Sequence, residues 1–450
     1  MTDLWLDVKQ ALRLGRRSPL TVTVIIGSLA LAIAANTAVF SFVNAVQFKA
    51  LPVADEATLV DVSEWSATDL CAGCGVGTSY PGFLEWKNQA HSFSTMGAYK
   101  ERSVTISGDG EPERFGAALV SPELFPMLGV NPARGRGIEA ADEMPGAPPI
   151  VLISDVLWRN RFGGRDDVVG LTSKVDGQVA TIVGVMPAGF RWPDFAQLWL
   201  PLGPAAAGWG RGDRSLAVVA RLASGSGLRQ AAAEMQTLAA AQARTNLETN
   251  PRWTARVTSL REDMTGETAI ASIVFLSAVG FVLLIACANV ANLLLVRALE
   301  RRREIAVRLA LGARRRRIVR LVLTEAVLFS AAGGMLGLLL AGAASRVLVA
   351  VFQAEAPYWI QFGLDWRVPA FCLGITTAAA LLCGIAPALQ ASRHDVHATL
   401  QDGGHGAGDR RGPGVRGAFV VLQLTLSLVL LAGAGLMIKT VLRTYQFDPG

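Results

Sequence analysis

Few side chains in this sequence stand in patterns that could do chemistry. The clearest pair is Cys71 and Cys74, in a Cys-Ala-Gly-Cys run. In an oxidising compartment they would close a local disulfide; a redox or metal role is the other reading of the spacing. Cys287, Cys372 and Cys383 lie inside apolar runs and read as small buried hydrophobes. His394 and His397 stand close together, yet no cysteine or third acidic ligand accompanies them at a zinc-site interval. Asp166-Asp167 and Glu262-Asp263 are adjacent acids of the kind that face water rather than form a dyad, and no Gly-x-Ser-x-Gly nucleophile motif is present. The phosphate loop Gly-x-x-x-x-Gly-Lys-[Ser/Thr] is also missing from the sequence, so the chain lacks that backbone cradle for ATP. No catalytic residue, cofactor or metal is expected.

The most informative constellation is basic. It runs Arg301-Arg302-Arg303-Glu304-Ile305-Ala306-Val307-Arg308-Leu309-Ala310-Leu311-Gly312-Ala313-Arg314. Ile305 and Leu309 fall on one helical face, Glu304 precedes Arg308 at the favourable i,i+4 spacing, and Gly312 is placed to end the helix. A short amphipathic helix of this kind has two readings. It rests on anionic lipid as a positive anchor, or it is a docking helix that takes force from a cytoplasmic partner.

The elements that position this segment are apolar. Of 450 residues 51% are hydrophobic and 17% charged, outside the usual soluble range. The net charge of +6 comes mostly from short arginine blocks, which does not describe a nucleic-acid-binding surface. Leu20 to Val46 is free of charge for 27 positions, about 40 Å of helix and more than a bilayer core needs. Its length favours an uncleaved anchor over a signal peptide. Four more runs follow: Ile270 to Val296, Ile318 to Phe352, Val368 to Leu389 and Gly417 to Ile438. The run from Ile318 exceeds a bilayer and predicts a stalk. Arginine placement gives the orientation. Segments 1–19, 297–317 and 390–416 are arginine-rich and expected in the cytoplasm, while the outer loop 353–367 carries Tyr358, Trp359, Phe362 and Trp366.

The expected fold is an α-helical transmembrane bundle of about five helices, at 20–46, 269–296, 318–352, 368–389 and 417–438. A large extracytoplasmic α/β domain, 47–268, is inserted between helices 1 and 2. Within it Pro149 to Ile153, Ala180 to Val185 and Leu216 to Leu222 read as strands. Gly163-Gly164, Asp176-Gly177 and Pro187-Ala188-Gly189 read as turns, and Leu228 to Arg244 has the composition of a solvent-facing helix. In the spans Gly333, Gly337, Ala341 and Ser345 recur every fourth residue, which suits close helix packing or dimerisation. Asn36, Asn44, Asn289 and Asn292 should face protein, making interhelical hydrogen bonds in preference to lining a substrate path, and Pro387 should kink or end the fourth span. The arginine-led apolar stretch of 13–46 is echoed in form at 410–442.

Taken together, these residues resemble the permeases of the MacB-like and FtsX-like ABC transporter superfamily. Arg302-Arg303-Glu304-Ile305-Ala306-Val307-Arg308 through Leu311-Gly312-Ala313 looks like the family signature between its second and third spans. Gly384-Ile385-Ala386-Pro387-Ala388 with Ala391-Ser392-Arg393 resembles its ending of the fourth. Ser79-Tyr80-Pro81 with Trp86, Val120-Ser121-Pro122 to Leu128-Gly129-Val130, Trp158 with Arg161-Phe162-Gly163-Gly164, and Val183 to Phe190 are similar to its periplasmic core. The wording is closest to the duplicated orphan permeases, which join two such halves, and the chain then stops one helix into a second half. The resemblance implies an inner-membrane permease subunit that is not itself an ATPase. It implies as partners a cytoplasmic ABC ATPase engaged by the short helix, a second permease copy or half, a periplasmic adaptor and membrane lipid, and no nucleic acid. A non-transporting regulator or scaffold acting on a periplasmic enzyme is the rival expectation.

Overall fold

The first apolar run becomes helix α1, Pro19–Val43, which continues as a π turn through Asn44–Phe48. Its proline sits in the first turn, where the missing N–H forfeits no helical bond. The structure, a computed structural model, describes residues 9, 13, 18–49, 53–66, 75–108, 110–193, 196–246, 253–300, 315–352, 365–392 and 415–446. Cys71, Cys74, the whole segment 301–314 and all three C-terminal histidines lie outside them. The chain divides into two units, one built on residues 49–267 and the other on the long apolar helices.

The first unit is α/β. In chain order it holds β1 (Leu59–Ser66), β2 (Gly75–Val76), α2 (Tyr80–Gln89), β3 (Phe93–Gly108), β4 (Gly110–Val120), α3 (Leu124–Leu128), β5 (Arg134–Gly135), β6 (Ile150–Ile153) and α4 (Asp155–Arg161). Then come β7 (Thr172–Val175), β8 (Gln178–Val185), β9 (Leu198–Pro201), α5 (Leu202–Ala206), β10 (Ala217–Leu222), α6 (Leu228–Thr245) and β11 (Trp253–Ser259). The described strands form one sheet in the order β11-β1-β10-β3-β4-β9-β6-β8-β5, with β2 added to β1 and β7 lying between β3 and β8. Most pairs are antiparallel; β4–β9 and β6–β8 are parallel.

Local chemistry explains several of these elements. Ser79 accepts the Gly82 N–H at 3.2 Å and Ser154 accepts the Leu157 N–H at 3.1 Å, so α2 and α4 both start on side-chain caps. The β7–β8 hairpin turns through Asp176 and Gly177, both at positive φ (49° and 81°), the pattern a two-residue hairpin turn demands. The long β3–β4 hairpin has no counterpart among the strands expected from sequence. Lys100, Glu101 and Arg102, in the middle of β3, mask the alternation, and the pairing runs from Tyr99↔Val120 to Gly108↔Gly110 at the turn.

Both faces of the sheet are covered. On one, Phe125, Phe190 and Trp199 pack with centroids 5.7 to 5.9 Å apart, each burial contributing about 2–3 kcal/mol. On the other, Val60, Val62, Phe83, Trp86 and Met235 form a second core beneath α2 and α6. Helix α6 is therefore not wholly solvent-facing as its composition suggests. Ala231, Met235, Ala239 and Gln242 bury one stripe, and Gln242 accepts the Trp86 indole N–H at 3.0 Å, which satisfies both polar groups.

The second unit comprises α1, α7 (Leu260–Glu300), α8 (Arg315–Phe352), α9 (Arg367–Ser392) and α10 (Val415–Gln446). Helix α7 begins in the α/β unit and runs on without a break. Four stretches are long and apolar enough to cross a membrane: Pro19–Phe48, Thr268–Arg297, Val319–Val347 and Arg367–Ile385. In α10 the described apolar stretch is shorter, Val420–Leu436, and its large side chains are exposed. Helix α9 continues through Pro387 to Ser392, so of the two expected effects, a kink or an end, the proline does not produce the end.

Candidate functional site

The bundle is assembled by small residues. A Cβ on Gly333 would stand 2.9 Å from Leu29 Cβ, and one on Gly337 would stand 3.0 Å from both the Ala30 carbonyl and Ile33 Cγ2. Ala341 continues the stripe and is buried, while Ser345 is half-buried. These residues bring α8 against α1 within the same chain. Gly384 does the same for α9 against α8, meeting Leu323 and Ala326 at 2.9 and 3.0 Å. Ile25, Leu29, Ile33, Leu283, Cys287, Val290, Phe329 and Ala379 complete a shared apolar core.

Polar groups in the helices separate into those that meet expectation and those that do not. Asn36 is buried and its Nδ2 donates to the Ala32 carbonyl at 2.9 Å and to the Val279 carbonyl of α7 at 2.8 Å. It makes the interhelical bond anticipated for it. Asn289 is exposed on α7, because Leu283, Cys287, Val290 and Leu294 set the buried side of that helix and Asn289 falls outside their arc; it is not covered by the described residues. Asn292 is half-buried, and its Oδ1 lacks a hydrogen-bond partner among the described residues, as does the Oδ1 of buried Asn44.

Near the end of α7 that leads to segment 301–314, Arg297 pairs with Glu325 of α8 at 3.2 Å, their side chains only 6% and 7% exposed. A second arm of the guanidinium donates to Ser18 Oγ, immediately before α1, and the group lies 5.8 Å from the Phe329 ring centroid. The sequence marks both residues only as charges at the ends of apolar runs. Their pairing depends on helix register and was not legible.

In the α/β unit the acids arrange themselves around Asp61. Strand β1 pairs with β10 only from Leu59↔Arg221 to Asp61↔Val219, and β2 takes over at Glu64↔Val76. A cleft of about 480 Å³ opens at this interruption, and a second of about 240 Å³ lies against Tyr99, Glu101 and Trp192; Asp61 and Asp263 border both. Asp61 is 8% exposed. Burial, reinforced by the Asp263 carboxylate, raises its pKa from 3.8 to about 7, against the lowering effect of a Ser63 hydrogen bond and Arg256. Burial also raises Glu101. Glu262 and Asp263 are exposed, as expected of solvated acids, but Asp263 acts on a buried neighbour that sequence separation conceals. Among the described residues no His, Cys, Asp and Glu side chains converge as a metal site requires.

A large α/β unit placed in sequence between the first and second of several membrane-crossing helices defines a class, the permeases with an inserted extracytoplasmic domain. The sequence matches the MacB-like periplasmic core domain over residues 22–238 and the FtsX-like permease C-terminal region over 276–396. The chain belongs to the MacB/FtsX-like permeases. It is 29% identical over 273 residues to the pyoverdine export ATP-binding/permease protein PvdT of Pseudomonas syringae pv. tomato, covering 60% of this chain and 40% of that one. It is also 29% identical over 261 residues to the macrolide export ATP-binding/permease protein MacB of Rhodospirillum rubrum, covering 57% and 38%. The solved periplasmic region of MacB from Actinobacillus actinomycetemcomitans aligns with 51% of this chain and 97% of its own, at 8% identity and a TM-score of 0.37. The chain thus spans about two fifths of the length of these curated relatives.

Proposed function

We propose that this chain is the permease subunit of a MacB/FtsX-type ABC transporter, in which a cytoplasmic ATPase drives movement of the periplasmic domain to export or extract a substrate. The observation that carries the reading is segment 301–314. Its Arg302-Arg303-Glu304-Ile305 to Gly312-Ala313 pattern falls inside the FtsX-like match and between two long helices, α7 and α8. A segment of this sequence pattern, joining α7 to α8 along the chain, is suited to pass force to both helices. The sequence has no phosphate loop, and the relatives named as ATP-binding/permease proteins extend well beyond the matched part. Both facts are in keeping with a motor supplied outside this sequence.

In this account segments 1–19, 297–317 and 390–416 are cytoplasmic, in accord with their arginines. The permease works as a dimer or pseudo-dimer, and a second copy or half would cover exposed groups such as Asn289. A periplasmic adaptor would engage the α/β domain. The test is ATP hydrolysis by the co-reconstituted ATPase. Glu304→Lys and Arg308→Glu should each remove stimulation by the permease about tenfold or more while leaving the α/β domain folded. Retained stimulation in both would overturn the docking role, and a periplasmic enzyme bound without any ATP-dependent transport would establish a regulator instead.

A further inference from the structure

The two helices that flank segment 301–314 are tied to each other, close to that segment, by charges withdrawn from water. Arg297 lies in the last turn of α7. Glu325 lies on α8, beyond the first turns that follow the segment. One guanidinium on α7 reaches two other helices: the Glu325 carboxylate at 3.2 Å and the face of Phe329, both on α8, and Ser18 Oγ at the start of α1.

For holding helices together, a buried ion pair is a poor choice. Apolar residues of the same volume commonly do as well or better, because both ions must be desolvated. What the pair offers is intolerance of displacement. Apolar contacts can slip past one another at little cost, whereas drawing these two groups apart would break a buried 3.2 Å ion pair in a low-dielectric bundle. The forked guanidinium adds direction, since one planar group must satisfy Glu325 and Ser18 together.

We propose that Arg297 and Glu325, anchored to Ser18, are positioning residues that form the brace by which a displacement of segment 301–314 is delivered to α1, α7 and α8 as one body. The proposal rests on the reading of 301–314 as the coupling segment. It assigns the pair a role in transmission, separate from docking of the motor.

The test uses the full chain in lipid nanodiscs, with spin labels at positions 296 and 317 and with the ATPase captured from the native membrane. In the wild type a non-hydrolysable ATP analogue should shift the distance between labels. E325Q and R297Q should capture the ATPase within twofold of wild type yet show less than a quarter of that shift, and the reversed pair R297E/E325R should recover at least half of it. R297K keeps the charge and loses the fork, so it should retain the fold and about half the shift, which keeps the test open if the glutamine variants fail to fold. A full shift in E325Q with capture intact would overturn the brace, as would a reversed pair as inert as the single variants. If the wild type captures no ATPase, the coupling reading fails by itself. The brace is then read from the width of the 296–317 distance distribution in empty nanodiscs. That width should at least double in E325Q and return in R297E/E325R, and an unchanged width would overturn it.

Discussion

Replacing Asp61 by asparagine tests whether burial of a single carboxyl sets the pH response of the α/β domain. Asp61 sits on β1 between its cross-strand partners Val219 and Thr258. Asp263, Glu262, Glu101 and Arg256 are the charged groups around the two clefts it borders. Its pKa is raised from 3.8 to about 7, first by burial and then by Asp263. An acid raised in this way binds more protons folded than unfolded. Its ionisation therefore opposes folding increasingly as pH climbs from about 4 to about 7, and the penalty is constant above that. With about 1.4 kcal/mol for each tenfold change in proton affinity, the full penalty is about 4 kcal/mol, an upper figure because water entering the clefts would relieve part of it. An asparagine side chain has the shape of the protonated acid and carries no charge. Asp61→Asn should leave stability near pH 4 within about 1 kcal/mol of wild type and raise it by about 2–4 kcal/mol at pH 8. Hydrogen exchange of the β1 and β11 amides, followed on the full chain in nanodiscs at both pH values, reads this directly. Equal protection of wild type and variant at pH 8, or a gain of the same size at pH 4, would show that burial of Asp61 does not set this response.

The helical unit yields two further expectations. Gly337→Leu places a side chain where a Cβ already meets the Ala30 carbonyl and Ile33 at 3.0 Å, so it should destabilise the bundle by about 1–3 kcal/mol in a steric-trapping measurement. Gly342→Leu, with open space around its Cβ, should be neutral. Asn36→Leu removes the 2.8 Å bond to the Val279 carbonyl and should cost about 0.6 kcal/mol, at most about 1.7. The same assay would count against that bond if the variant were more stable than wild type.

Much of the architecture was legible because lipid imposes a simple rule: apolar length predicts helices. Long apolar runs with few charges mark the four stretches Pro19–Phe48, Thr268–Arg297, Val319–Val347 and Arg367–Ile385. The small-residue stripe on α8 was legible as well, though its partner was not; Gly333 and Gly337 meet α1 of the same chain. Short strands with unbroken apolar character, such as β6, stood out, whereas β3 and β4 did not, because Lys100-Glu101-Arg102 in β3 and Glu113-Arg114 in β4 interrupt the alternation of a half-exposed strand. Features that depend on long-range register stayed hidden. Asp61 and Asp263 are far apart in sequence, Arg297 and Glu325 belong to different helices, and Asn289 faces outward only because Leu283, Cys287, Val290 and Leu294 set the rotation of α7.

The proposed separate motor, acting through segment 301–314, should travel with the permease. In affinity purification of the tagged full chain from its native membrane, with ATP analogue present, a phosphate-loop ATPase should be recovered in near-stoichiometric amount with the wild type and with at least a tenfold loss in Glu304→Lys, the α/β domain remaining folded. Absence of any such ATPase from the wild-type preparation, or equal recovery with Glu304→Lys, would contradict it.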